Sequence, residues 1–197
     1  MAGPAWILAG LGNPGARYQG TRHDLGFALL ARLAASAGAP PFVEREGAEV
    51  AGPVSWDGGA PALLVRPLLF MNRSGPPLKR VLERAGLPMQ RLLVACDDIH
   101  LPLGRVRLRE QGSAGGHNGL ASVVESLGPG FPRLRMGVGR EPDGTDRADW
   151  VLSRFSAAEE PSVGVMLAEA EGLVRSVLAG RLLAAPVVPG EGGPNPG

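Results

Sequence analysis

The chain predicts an α/β fold in a single domain, and three observations carry that expectation. Short apolar runs recur at residues 6–9, 63–65 and 92–95, each of strand length and each opening into a loop. Helical patterns follow the first two runs, and strands that alternate with helices pack as parallel neighbours. At 197 residues the chain suits one sizeable core. Parallel strands also bring their C-terminal ends to one edge, the usual place for a ligand.

Composition narrows the classes. Hydrophobic residues make up 44% of the chain, yet no run approaches the roughly 18 to 20 apolar residues of a membrane span. Met-Ala-Gly-Pro-Ala at the start lacks the basic and apolar regions of a signal peptide, so the expected location is cytoplasmic. One cysteine, Cys96, permits no internal disulfide. Net charge is +1, but residues 105–140 carry +4 and residues 141–197 carry −5. The first segment is either an anion-binding surface or a set of solvated strand faces. Asparagine occurs only at Asn13, Asn72, Asn118 and Asn195, and the first three lie in glycine-containing loops beside apolar segments.

Taken in order, residues 6–9 deliver the loop G-L-G-N-P-G-A-R-Y-Q-G-T-R-H-D-L-G-F at 10–27. A helix follows with Phe27, Leu30, Leu33 and Ala34 on one face, stopped by Gly38 and Pro40, so His23 stands at its N-terminus. Residues 42–56 read as a hairpin or irregular strand pair. The strand at 63–65 ends at Pro67, and Ser74 with its following prolines starts a helix that runs to Ala85 and stops at Gly86. The strand at 92–95 ends in Cys96-Asp97-Asp98. Residues 105–109 alternate arginine with apolar residues, giving one basic face. A glycine-rich loop at 112–119 leads into a helix from Leu120 to Leu127, then another arginine-alternating strand begins at Arg133. Residues 141–149 read as a polar, mobile connection. Ser156 and Glu159 have capping-box spacing before a last helix expected to reach about Leu183. The domain is expected over 1–185, with a disordered Pro/Gly-rich tail over 186–197.

Several chemistries fail on spacing. G-L-G-N-P-G matches the dinucleotide fingerprint, but no helix starts within the glycines and no acid closes a second strand about 20 residues on. The G-x-S-x-G elbow is missing, since Gln111 stands where Ser113 would need a glycine. Cys96 closes an apolar strand and reads as core. Asp97-Asp98-Ile99-His100 lacks a recognised metal-ligand spacing. What remains is His23 as general base on water, with Asp97 fixing its tautomer and Asn13 and Asn72 positioning a carbonyl or its oxyanion. The alternatives are a loop histidine and an ordinary strand-end acid.

Together these pieces resemble one family, the bacterial-type peptidyl-tRNA hydrolases. The matching motifs are residues 10–15 with Tyr18 and Thr21-Arg22-His23, then Phe70-Met-Asn-Arg-Ser-Gly75, Asp97-Asp98 with Leu101-Pro-Leu-Gly104, Gly115-Gly-His-Asn-Gly-Leu120, and residues 133–139. The resemblance implies a monomeric α/β fold with a mixed, largely parallel twisted sheet surrounded by helices. It implies hydrolysis of the ester joining a peptide to the 3′ acceptor end of tRNA, with no metal or organic cofactor. His23 and Asp97 are carried over as catalytic; Asn13, Tyr18, Met71, Asn72 and Asn118 as substrate-binding; Arg107, Arg109 and Arg135 as tRNA phosphate-binding. Asp24 stands where the family has asparagine, which places a charge beside the base, and His100 stands where it has an acid. The competing classes are a nucleic-acid-binding relative without catalysis and an esterase on small substrates.

Overall fold

The structure, a computed structural model, describes residues 3–183. Strands β1 (Trp6–Gly10), β2 (Val43–Arg45), β3 (Ala48–Val54), β4 (Ala62–Pro67), β5 (Leu92–Asp98), β6 (Val106–Arg109) and β7 (Arg133–Gly137) form one sheet in the order β2-β3-β4-β1-β5-β7-β6. The four central strands, β4, β1, β5 and β7, run parallel, while β2, β3 and β6 add antiparallel edges. The expected α/β fold with a mixed, largely parallel sheet is therefore the observed one. Among the described residues five α-helices complete it: α1 (Leu25–Ala37), α2 (Gly75–Ala85), α3 (Asn118–Leu127), α4 (Arg147–Leu152) and α5 (Glu160–Leu178).

Period-two alternation divides the strands between two cores. Leu8, Leu64, Leu93, Ala95 and Leu134 pack with Leu29, Leu33, Met166 and Val174 on the α1 and α5 side. Ile7, Ala9, Val65, Val94 and Cys96 pack with Leu78, Leu82, Leu120 and Val123 on the α2 and α3 side. The buried residues of α1 are Leu25, Gly26, Leu29, Leu30 and Leu33; Phe27 is only half-buried, so the apolar stripe lies about one position from the expected face.

Element ends differ from the sequence expectation in ways that bear on the site. β5 does not stop at Ala95 but continues through Asp98, because β7 supplies parallel partners as far as Asp98↔Gly137. Ser74 precedes α2 without capping it; its hydroxyl donates to Met71 O at 2.8 Å instead. Residues 141–149 are not all irregular: Asp146 accepts from the N–H groups of Ala148 and Asp149 and starts α4. Glu159 accepts from the Ser156 N–H at 2.8 Å, half of the expected capping box, and α5 ends at Leu178 rather than Leu183. Pro161 falls in the first turn of α5, where its missing N–H costs nothing. The expected tail at 186–197 lies outside the described residues.

One close approach sets the site's spacing. A Cβ added at Gly26 would land on the backbone of Leu11 and within 2.6 Å of Ala95 O, and one at Gly10 would land on Gly26 O. Only glycines let the first turn of α1 lie directly on the ends of β1 and β5. Alanine at an ordinary helical position gains about 1 kcal/mol over glycine, whereas overpacking costs about 1–3 kcal/mol. Gly26→Ala is expected to lower stability by about 2 kcal/mol, read from urea unfolding. A midpoint at or above that of wild type would remove the close-approach account.

Candidate active site

His23 sits in a 3-10 turn, Arg22–Asp24, that feeds α1, so the helix resting on β1 and β5 holds the imidazole at the sheet's carboxyl edge. Asp97 follows Leu93 and Ala95 in the row of β5 that faces α1. Alternation alone thus aims its carboxylate at the start of that helix. His23 Nδ1 and Asp97 Oδ1 meet at 2.8 Å across 74 positions of sequence.

A second imidazole shares that oxygen. His117 Nε2 lies 3.0 Å from Asp97 Oδ1, and the two rings are 5.0 Å apart. His117 is also the N-cap of α3, its Nδ1 accepting from the N–H groups of Gly119 and Leu120 at 3.1 and 3.2 Å. An Nδ1 that accepts carries no proton, so neutral His117 is the Nε2–H tautomer and donates to Asp97. Asp97 is 2% exposed. Burial acts to raise its pKa, but the charges and hydrogen bonds of His117 and His23 outweigh it and hold the carboxyl well below the usual range. An ionised Asp97 only accepts, so neutral His23 donates from Nδ1, leaving Nε2 as its available lone pair.

This arrangement also bears on metal binding. His23, Asp97 and His117 present three ligand-type atoms within 4.8 Å of one another. A metal on His117 Nε2 would force the proton of the neutral ring onto Nδ1, against two backbone N–H donors. The donor set therefore suits proton chemistry and does not suit a cation.

Above this group opens a cavity of about 560 Å³. Asn13, Met71, Asn72 and Asn118 line it with His23 and Asp97, so these expected site residues are brought together. Asn13 Oδ1 accepts from the Met71 N–H at 2.9 Å, which leaves its NH₂ as a donor. Ala148, Val151 and Leu152 of α4 form an apolar part of the wall, with Phe70 and Ile99. Tyr18 is not among the lining residues; it is half-buried in the 3-10 turn Ala16–Tyr18 and its hydroxyl accepts from Arg17.

The arginines separate by register. Arg107 and Arg109 are exposed on the edge strand β6. Arg135, expected beside them in a phosphate clamp, is 9% exposed. Its Nη1 donates to Asp98 Oδ2 at 3.1 Å and its Nη2 to the carbonyls of Ser113 and Ala114 at 2.8 and 3.1 Å. Arg133 is buried too, and donates to the carbonyls of Gly112, Ser113, Pro129 and Phe131. These two arginines staple the loop that carries His117 and Asn118. Both occupy an interior strand paired on each side, whereas β6 has one free edge.

Cys96 is fully buried, and burial, followed by the charge of Asp97, pushes its thiol pKa far up, so it is core and no nucleophile. Asp24 is buried and accepts from the Gly20 N–H at 3.0 Å. Burial raises its pKa, while the Gly20 N–H and Arg66 oppose that. Its carboxylate therefore has partners other than His23. Sequence reading missed His117, whose string looked like loop, and the α4 wall, although Asp146 was an available N-cap signal.

Fold and site together define a single-domain α/β enzyme with a histidine–carboxylate centre at the sheet edge. The model of the peptidyl-tRNA hydrolase family matches residues 7–186. A peptidyl-tRNA hydrolase of Chloroflexus aggregans is 42% identical over 182 residues, covering 91% of this chain and 96% of the relative. One of Parasynechococcus marenigrum is 43% identical over 175 residues, covering 85% of each. The crystal structure of peptidyl-tRNA hydrolase from Acinetobacter baumannii superposes with a TM-score of 0.83 at 28% identity, over 92% of this chain and 93% of that one. The chain belongs to the peptidyl-tRNA hydrolase family.

Because the folded-state pKa of Asp97 is depressed, its contribution to stability is complete above the unfolded value of about 3.9 and is lost as pH falls through the folded value. The stability gap between wild type and Asp97→Asn is expected to hold down to about pH 4.5 and to narrow below pH 4 in urea titrations. A gap that widens below pH 4 would contradict an ionised Asp97.

Proposed function

We propose that this protein hydrolyses the ester between a peptide, or an N-blocked amino acid, and the 3′ end of tRNA, using a water activated by His23. The observation that carries the reading is the 2.8 Å contact of His23 Nδ1 with Asp97 Oδ1, in residues that line a cavity rich in amide side chains. His23 Nε2 takes a proton from water as the water oxygen bonds to the acyl carbon. Asp97 holds the ring and stabilises the imidazolium. The Asn13 NH₂ donates to the oxyanion of the tetrahedral intermediate. As the bond to the ribose oxygen breaks, the imidazolium returns its proton to that oxygen, leaving a free tRNA and a peptide acid.

Magnitudes make this sufficient. General-base catalysis supplies about 10²- to 10⁴-fold, and a well-placed oxyanion donor about 3–4 kcal/mol. An ester, with its good leaving group, needs no covalent enzyme intermediate. Selectivity then comes from holding the acyl part among amides and apolar side chains and the nucleic acid on arginine. Arg107 and Arg109, exposed on one face of β6, are the phosphate contacts; Arg135, being enclosed, serves through the loop it holds. The physiological role that follows is recycling of tRNA from prematurely released peptidyl-tRNA, by a cytoplasmic monomer. Among the described residues no helix is long and apolar enough to cross a membrane.

N-acetyl-aminoacyl-tRNA and the same blocked amino acid as a simple ester separate the readings. Cleavage of the tRNA substrate alone, abolished in His23→Ala, is the expected result. Efficient cleavage of the simple ester would favour a small-substrate esterase, and binding of tRNA without cleavage a non-catalytic relative. Affinity for tRNA should fall with salt, and Arg107→Ala or Arg109→Ala should each reduce the slope of log K against log salt by about 0.7 to 0.9. Arg135→Ala should lower turnover and leave that slope near wild type. A slope change in Arg135→Ala equal to that in Arg109→Ala would return Arg135 to the clamp.

A further inference from the structure

Arg22 immediately precedes the base, and no step above uses it. It is 3% exposed, and the side-chain partners it meets, which form a cage, all come from residues 150–159. The guanidinium carbon lies 3.7 Å from the Trp150 ring and 4.6 Å from the Phe155 ring. Nη2 donates to both carboxylate oxygens of Glu159, at 2.9 and 3.0 Å, and Nε to Ser153 Oγ at 3.3 Å. The main chain is tied there as well: Arg22 N–H donates to Ser153 O at 3.0 Å, and Thr21 bridges Arg154.

The cage is itself anchored. Trp150 Nε1 donates to Gly139 O at 3.0 Å, just beyond β7, and Glu159 holds the Ser156 N–H at the start of α5. A buried guanidinium is retained only where its partners and packing outweigh desolvation, and here Nη1 has no hydrogen-bond partner among the described residues. Two aromatic faces and one carboxylate therefore fix its position. Trp150 and Phe155 grip it as flat surfaces grip a flat cation, a fit that lysine does not reproduce.

We infer that Arg22 is a positioning residue of the hydrolytic site, fixing the main chain at His23 from the α4 side while Asp97 fixes the ring from the sheet side. This rests on the reading of His23 as the base. Trp150, which stacks on Arg22, belongs to the same six-residue helix as Ala148 and Val151, which line the cavity. A substrate pressed against that wall bears on the helix that holds the base's neighbour. Placement of the imidazole and occupancy of the cavity are thereby joined through one side chain.

The test uses Arg22→Met, Arg22→Lys and Glu159→Gln in the full chain, assayed on N-acetyl-aminoacyl-tRNA at a temperature where circular dichroism shows each variant folded. Displacement of a reacting group by about 1 Å can cost on the order of 100-fold. Arg22→Met is expected to lower kcat by about 10- to 100-fold with KM within about threefold. It should also shift or broaden the proton resonance of His23 Nδ1–H in its bond to Asp97. Arg22→Lys should recover part of kcat, and Glu159→Gln, which leaves residues 21–23 untouched, should show a smaller loss in the same sense. A folded Arg22→Met with wild-type kcat, a loss confined to KM, or an unmoved His23 resonance would each overturn the inference. Should Arg22→Met fail to fold, wild-type kcat and an unmoved resonance in Glu159→Gln overturn it equally. His23→Ala separates the two levels: hydrolysis persisting there defeats the base reading, whereas an inactive His23→Ala beside a wild-type-like Arg22→Met defeats the positioning role alone.

Discussion

Everything at this site depends on one oxygen atom, Asp97 Oδ1, which receives hydrogen bonds from two imidazoles on a carboxylate only 2% exposed. Burial alone would push that carboxylate toward its neutral form. With His117 and His23 beside it the pKa is held well below the usual range, and an ionised Asp97 determines which nitrogen of His23 bears hydrogen. His117, a residue whose other nitrogen is occupied in starting a helix, shares that carboxylate with His23. Chemistry and secondary structure share one ring.

The fold delivers that oxygen by ordinary means. Four parallel strands set their ends at one edge, alternation along β5 turns Asp97 toward α1, and glycine at two facing positions lets α1 approach. Much of this was legible beforehand. The apolar runs located β1, β4 and β5, Gly38 and Gly86 located two helix stops, and the asparagine loops located the rim. What was not legible depends on partners remote in sequence. The length of β5 past Ala95 is decided by β7, the helical state of 147–152 is supported by the packing of Trp150 on Arg22, and the choice of His117 as second donor requires the loop to fold back over the strand end.

Arginine illustrates the same limit. Alternating arginines at 105–109 and 133–135 look equivalent as text, and both read as a basic face. In the sheet, β6 is an edge and β7 an interior strand, so Arg107 and Arg109 meet solvent while Arg133 and Arg135 meet carbonyl oxygens and Asp98. Strand order, which no local pattern encodes, converts one set into a candidate surface for phosphate and the other into interior supports. The buried Arg22 is a third case, held by aromatic rings next to His23 in the chain.

Cys96 adjoins Asp97 in the chain, yet it faces the opposite core, sealed beneath α2 and α3. With no other sulfhydryl in the sequence, a thiol-selective reagent meets no target unless the layers part. The rate at which a thiol-alkylating reagent consumes it would be a clock for large-scale opening of the packed layers.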